Sequence, residues 1–422
     1  MVRRLRRLLL DSPEWAWLAL ALALRAAFAR KLGGGYYQGD EQNYAGFARY
    51  LAHLAPPSGA PIGPPVPCAL FALGFRLFGP SLLGPRLLQT FVGTFVAAAL
   101  GRATAALTRS REAGRIALLV ACVYPFFIYY GGMLLSETSY LALIIPAFAL
   151  IGLGLRDESA PALAGGGFLL GLAALARAEA APIGFLVWIT VAAAMAAGQT
   201  LDARAFRRLV LAALCWTLPI LGWCARNRVQ IGTFALDIHG GQTLLYGTEY
   251  FDQNQIDTSV ADQAFGASEL SRRIQGLPAT ERDRAMMRES FDWMETHPRE
   301  TAEHWTVKAF NFWRFYPRPE KVYERDAAAA PAAGTGRLGL IAISLLFEPA
   351  LILGGLAGLW ALRRERAIWP QMVFLLGTMG VHVFSLSQMR YRLPVMPTLI
   401  LGAAALAAGA LASPQKEDAA GA

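Results

Sequence analysis

Long apolar runs recur along almost the whole chain, near residues 13–31, 82–106, 115–134, 138–155, 161–176, 181–198, 209–225, 337–362, 367–386 and 393–412. About 20 consecutive apolar residues suffice for a helix to cross a bilayer, and a crossing segment must satisfy its backbone groups internally. The pattern predicts an all-α polytopic membrane protein with about ten transmembrane helices. Residues 66–79 are apolar but too short to cross, so they read as a helix lying in the interface. Before them, Tyr44, Phe47, Leu51 and Leu54 recur at spacings of three, four and three, which predicts a surface helix with one apolar face. The stretch between, PPSGAPIGPP at 56–65, is too rich in proline for a helix.

One long polar interval, residues 226–336, breaks the series and predicts a small, mainly helical outer domain. Gly240-Gly241 suggests a turn. Helices follow at about 280–296 and 300–316, with Pro298 suited to the first turn of the second. Met287, Phe291 and Met294 make a stripe on the first; Trp305, Ala309, Phe312 and Tyr316 make one on the second. These stripes are expected to pack on each other or on the membrane. AAAAPAAGTG at 327–336 reads as a flexible joint. The chain thus divides into an N-terminal membrane module, 1–225, with its first outer loop at 32–81, an outer domain, 226–336, and C-terminal spans with a short tail, 337–422.

Composition agrees with this class. Of 422 residues, 55% are hydrophobic and 16% charged, with mean hydropathy +0.38, against roughly 25% charged in soluble domains. The net charge of +9 is not gathered into a basic–aromatic patch, so no nucleic-acid partner is expected. Cys68, Cys122, Cys215 and Cys224 lie in apolar segments and read as packing, with no disulfide framework. Arg3, Arg4, Arg6 and Arg7 precede the first span, and Ala27-Phe28-Ala29 looks like a signal-peptidase site. With so many spans following, an uncleaved first helix is the better reading.

Charge also sets the topology. With 66–79 in the interface, the cytoplasmic loops after residue 106, with Arg102 at the preceding span's end, carry twelve cations: Arg102, Arg109, Arg111, Arg115, Arg156, Arg204, Arg207, Arg208, Arg363, Arg364, Arg366 and Lys416. The short outer loops receive three, Arg177, Arg390 and Arg392. A crossing by 66–79 would invert the ratio, against the positive-inside bias of short loops. Both termini are therefore placed inside.

This topology sends Asp40, Glu41, Ser136-Glu137, Arg177 with Glu179, Arg226, Arg228 and Arg390-Tyr391-Arg392 to the outer side. Taken singly, each reads most simply as a helix cap, a solvated turn or a snorkelling anchor. Their convergence is what argues for chemistry. Transfer from a lipid phosphate needs a carboxylate to take a proton and cations for the leaving phosphate. The organising stretch is YYQGDEQNY, Tyr36–Tyr44, just beyond the first span. Asp40 is the candidate base. Glu41 is expected to begin the surface helix and serve its N-terminus, so that Glu41→Gln is milder than Asp40→Asn. In an extended approach to the last span, with Pro394 at its start, Arg390 and Arg392 would point the same way and hold one phosphate, with Tyr391 against the headgroups. No HExxH, Walker loop, GxGxxG after a strand or GxSxG occurs, and His297 and His304 are too far apart for the i, i+4 zinc geometry.

Several pieces of sequence resemble a family. They are GDEQNY at 39–44, GPPVP at 63–67, FRLFGPSLLGPRLLQ at 75–89, YPFFIYYGGMLLSE at 124–137, GLAALARAE at 171–179, ARNRVQIGTF at 225–234, WMETHP at 293–298 with Lys308, and RYRLPVMP at 390–397. In this order the set resembles the C-type membrane glycosyltransferases that use polyprenyl-phosphate sugars, such as the protein mannosyltransferases and lipid A aminoarabinose transferases. The resemblance implies an inverting transfer on the periplasmic side of a bacterial inner membrane. Asp40 matches the catalytic aspartate of the first outer loop. Glu137 falls where many members carry a second acid, usually aspartate. Some relatives have lysine before the proline pair to contact the donor phosphate. Here Gly63 stands there, leaving that contact to Arg390 and Arg392, with Arg177 and Arg228 next. Glu41, Tyr44 and Tyr391 complete the implied substrate-binding set. The implied partners are a polyprenyl-phosphate-linked sugar donor, a lipid, glycan or protein acceptor, and membrane lipids. No cofactor is required, although divalent metal dependence varies within the class. Two rival readings are a lipid-linked-sugar flippase or transporter, with ionisable groups near span centres and broken helices, and an O-antigen polymerase or ligase.

Overall fold

The computed structural model describes residues 12–37, 39–56, 63–198, 202–251, 259–316 and 335–412, which are helical throughout with no strand among them. The helices are α1 (Glu14–Leu32), α2 (Gly39–Leu51), α3 (Pro65–Phe78), α4 (Leu83–Thr108), α5 (Arg111–Val123), α6 (Pro125–Gly132), α7 (Glu137–Arg156), α8 (Ala160–Ala174), α9 (Ala180–Ala197) and α10 (Ala203–Ile231). They continue as α11 (Gly240–Gly247), α12 (Ser259–Ala267), α13 (Glu269–Ile274), α14 (Ala279–Thr296), α15 (Pro298–Phe312), α16 (Thr335–Ala361), α17 (Trp369–Phe384) and α18 (Met396–Ala412). Short 3-10 turns at Arg366–Ile368 and Met389–Val395 precede the last two.

Every one of the ten predicted apolar stretches is helical, but fewer have the dimensions of a crossing. Among the described residues seven are long and apolar enough, or eight if α5 and α6, bent by 48° at their junction, act as one span. α1 has Glu14, Arg25, Arg30 and Lys31 within only 19 residues, too many charges for so short a helix to be counted, and α3 and α8 are shorter apolar helices. The fold thus fits an α-helical polytopic membrane protein. Apolar side chains on the outside agree with this: α10 exposes Phe206, Leu214 and Leu218 along its length.

Polar caps fix several helix starts. Ser110, Ser159 and Asp202 each accept the backbone N–H three residues on, at the N-termini of α5, α8 and α10. Close helix contact comes from small residues. At the α16–α18 crossing, a methyl on Gly358 would collide with the carbonyl of Gly402, so two backbones meet where lipid offers no competing attraction.

The chain resolves into two compact units. The first comprises Met1–Leu236, Ala350–Leu375 and Leu393–Ala422; the second comprises Asp237–Pro349 and Leu376–Arg392. The sequence reading places its divisions at 225 and 336 and does not foresee that 376–392 joins the second unit.

In the first unit α2 is the expected surface helix. It buries Ala45 and Ala48 against α3, with Tyr44 and Leu51 packed beside them, and Phe47 is buried as well. The stripe stops there, since Leu54 is exposed. In the second unit α14 and α15 lie where expected, with Pro298 in the first turn of α15. Gly240 and Gly241 open α11 and form no turn. The Gly241 amide there donates to Asp283 Oδ1 of α14 at 2.7 Å. Of the proposed joint at 327–336, residues 327–334 lie outside the described residues and 335–336 open α16; residues 57–62 of the proline-rich stretch also lie outside them.

Candidate functional site

Arg25 shows how the first unit handles a charge inside an apolar helix. Tyr124 breaks the helix between α5 and α6 with extended backbone, and Pro125 follows. Proline has no N–H, so the Ala121 carbonyl loses its partner four residues on. The Arg25 guanidinium fills that deficit, donating to Ala121 O at 2.9 Å and Cys122 O at 3.0 Å. Gly93 makes the room, since a methyl there would lie 3.0 Å from Arg25 Nε. Gln89 does the same for the end of α6, donating to Gly131 O at 2.7 Å and Met133 O at 2.5 Å. These polar groups are consumed by the fold.

Asp40 and Glu41 share the first turn of α2, and successive helical residues leave the axis about 100° apart. Glu41 turns inward and is fully buried. Its Oε1 accepts from Arg86 Nη2 at 3.0 Å and from the Leu134 amide at 2.9 Å, and its Oε2 from the Tyr37 amide at 2.5 Å. Arg86, also fully buried, reaches back to the carbonyls of Gly33 and Gly35. One carboxylate therefore ties together the end of α1, the start of α2, α4 and the turn before α7. Asp40 is left half-exposed on the other side of the same turn, and Tyr44 follows it by one turn on its own face. Burial rather than helix capping is the fate of Glu41.

At the same end of the unit, the α3 start meets the α8–α9 turn, where the Val66 amide donates to Leu175 O at 3.5 Å. That turn carries Arg177. Its guanidinium is 3.3 Å from Glu137 Oε1 and pairs with Glu179 through Nε at 3.0 Å. Glu137 is buried at the start of α7, and the Tyr140 ring lies beside Arg177. Arg177 is thus already engaged by two carboxylates. Arg228, near the C-terminus of α10, bonds the Gly232 carbonyl and is exposed.

The second unit holds the other predicted arginines, in a different conformation from the one expected. Residues Met389–Val395 form a 3-10 turn with Pro394 inside it, and α18 begins only at Met396. Residues two apart on such a turn diverge, because it takes three residues to complete one revolution. Arg392 is fully buried. It donates to Phe312 O at 2.6 Å and Arg314 O at 2.8 Å, and pairs with Glu348 Oε2 at 2.5 Å. It closes the C-terminus of α15 and neutralises a buried acid on α16. Arg390 is half-buried beside the Tyr391 ring, which stacks on His382 with centroids 4.4 Å apart. The two arginines therefore do not form the tandem phosphate grip that an extended chain would give.

Arg86 and Glu348 are the polar residues that sequence reasoning did not assign. A lone charge inside an apolar run is the signal that could have flagged both, since such a group requires a partner. Among the described residues no group of three or more His, Cys, Asp and Glu side chains could hold a metal ion. No family model matches the chain, and no curated protein matches it.

Proposed function

We propose that the protein is an inverting glycosyltransferase that moves a sugar from a polyprenyl-phosphate donor to an acceptor on the outer face of a bacterial inner membrane, with ten crossings and both termini inside. The observation that carries this reading is the division of labour in the first turn of α2. Glu41 is committed to Arg86 and two amides, while Asp40 remains half-exposed in the same turn, at the end where Glu137 and Arg177 also gather. A site of this kind holds one carboxylate rigidly so that its neighbour stays placed and accessible.

In the proposed reaction the Asp40 carboxylate takes the proton of an acceptor hydroxyl. The oxygen attacks the anomeric carbon, and the bond from that carbon to the phosphate oxygen breaks with its electron pair. Polyprenyl phosphate leaves as a stable anion, so no strong general acid is required. Glu137, held by Arg177, adds negative charge near the acceptor side. Arg228 becomes the first candidate to meet the leaving phosphate, because Arg392 and Arg177 already carry carboxylates. Each cation acting on developing charge in a partly dry site contributes roughly 3 kcal/mol.

The broken α5–α6 span favours the transporter reading, since discontinuous helices line many transport sites. Here, however, the break is filled by the chain's own Arg25. Mass spectrometry of envelope glycolipids and glycans from strains with and without the protein tests the proposal. A glycan short by one sugar is expected on deletion; an unchanged glycan profile with altered sidedness of a lipid-linked sugar would support transport instead.

A further inference from the structure

In the second unit, α17 exposes one row, Leu376, Gly380 and Phe384, at helical spacings of four. Leu376 is 63% and Phe384 40% exposed, on a helix long and apolar enough to cross a membrane. The row does not end with the helix. The Phe384 ring meets Trp305 of α15 at 5.9 Å and Phe291 of α14 at 6.4 Å between centroids, and these two side chains are 37% and 45% exposed. An apolar strip thus runs from the flank of a membrane-type helix onto two helices of the polar domain.

The charges around the strip fit a lipid surface. Arg284 and Arg288 are exposed and precede Phe291 at i−7 and i−3, on its face of α14, with Glu295 following at i+4. Beneath the aromatic cluster, Lys308 is fully buried and its ammonium donates to the carbonyl of Phe384 at 3.4 Å, at the negative end of the α17 dipole. An exposed Trp ring and exposed arginines near the end of a helix long enough to span match the composition of a membrane–water interface.

We infer that α14 and α15 dock onto the lipid surface through Phe291 and Trp305, continuing the lipid-facing row of α17, so that the second unit rests on the membrane. This inference goes beyond the proposed reaction and does not depend on it. The occupant is fixed by continuity: whatever bathes Leu376 and Phe384 also bathes the two rings in contact with Phe384.

The test uses the full chain in vesicles of phosphatidylcholine and phosphatidylglycerol. Nitroxide labels are placed at Phe291→Cys, Trp305→Cys and, as a water-facing reference, Arg299→Cys, whose side chain is 88% exposed. A Cys215→Ser background removes the native cysteine that is not buried, and the same background without an added cysteine gives the residual signal. Labels at 291 and 305 should collide with membrane-dissolved oxygen while showing several-fold less collision with a water-soluble nickel chelate than the label at 299. Nickel access equal to that at 299 overturns the inference. Protection from both oxygen and nickel also overturns it, because that result means burial against a protein surface. Hydroxyl-radical footprinting of the unmodified protein in the same vesicles guards against a labelled variant that misfolds. Trp305 and Leu277 are exposed to a similar extent, so once each rate is divided by the intrinsic reactivity of its residue type, Trp305 should be the more protected; equal or weaker protection of Trp305 counts against docking.

Discussion

Replacing Glu41 by glutamine keeps the side chain's shape and removes its charge. Three donors converge on the native carboxylate: the Arg86 guanidinium and the amides of Leu134 and Tyr37. A glutamine offers one acceptor oxygen. Placed to serve Arg86 and Leu134, it points its own N–H2 at the Tyr37 N–H, and a donor faces a donor. Arg86 would also stand fully buried with only carbonyl partners, Gly33 and Gly35. Breaking one side of a buried pair typically costs about 3–5 kcal/mol. Instead of the solvent-facing helix-start role on which the expectation of a mild effect rests, Glu41 has a buried role, and its replacement is expected to cost stability. The assay is thermal unfolding of detergent-solubilised protein for Glu41→Gln, Arg86→Met and the double variant. Each single change should lower the melting temperature markedly. The double variant should lose much less than the sum, because the second change removes the uncompensated charge, giving a coupling of about 1 kcal/mol or more. Additive effects, or a Glu41→Gln protein that melts like the parent, would refute the structural role of the pair.

Three further outcomes follow from the buried polar groups. Arg25→Met should destabilise the protein, and less so when combined with Pro125→Ala, which restores an N–H to the Ala121 carbonyl; equal losses in both backgrounds would contradict the capping role. Arg392→Lys should lower thermal stability, because one ammonium cannot serve Phe312 O, Arg314 O and Glu348 together, whereas Arg228→Lys should leave stability unchanged and raise the donor concentration needed for transfer. Lys308, outside the spanning helices, has its ammonium pushed down to about 7 by burial, from 10.5 in the unfolded chain. Between those values the unfolded chain binds more protons, so this group makes the second unit more stable as pH rises from 7 to 10. Lys308→Met should flatten that rise, and an unchanged slope in urea unfolding would remove the buried lysine as its source.

The helices were legible because apolar runs of this length favour helix, and each run is helical, although 115–134 is broken at Tyr124 into α5 and α6. What the runs could not show is how charge inside them is satisfied. Arg25 looks like a snorkelling or functional group until Pro125, a hundred residues away, is seen to orphan a carbonyl beside it. Sequence reasoning gives Glu41 a role at the helix start, while its burial against Arg86 of α4 and the Leu134 amide depends on residues 45 and 93 positions away. The Arg390–Arg392 grip failed on local conformation: Pro394 reads equally well as the first turn of a helix or as part of a 3-10 turn, and the structure takes the second. Glu348 stands out as a lone charge in an apolar run, but its partner Arg392 lies 44 residues on and nothing local pairs the two. Long-range pairing is the part of the site that no local pattern encodes.

The central claim rests on Asp40. The most direct measurement is transfer from a polyprenyl-phosphate sugar by vesicles carrying the wild-type or Asp40→Asn protein at matched amounts, followed by release of polyprenyl phosphate. An amide cannot take the acceptor's proton, so the rate should fall by about 10²–10⁴-fold with unfolding unchanged. Transfer by Asp40→Asn at the wild-type rate would contradict the account.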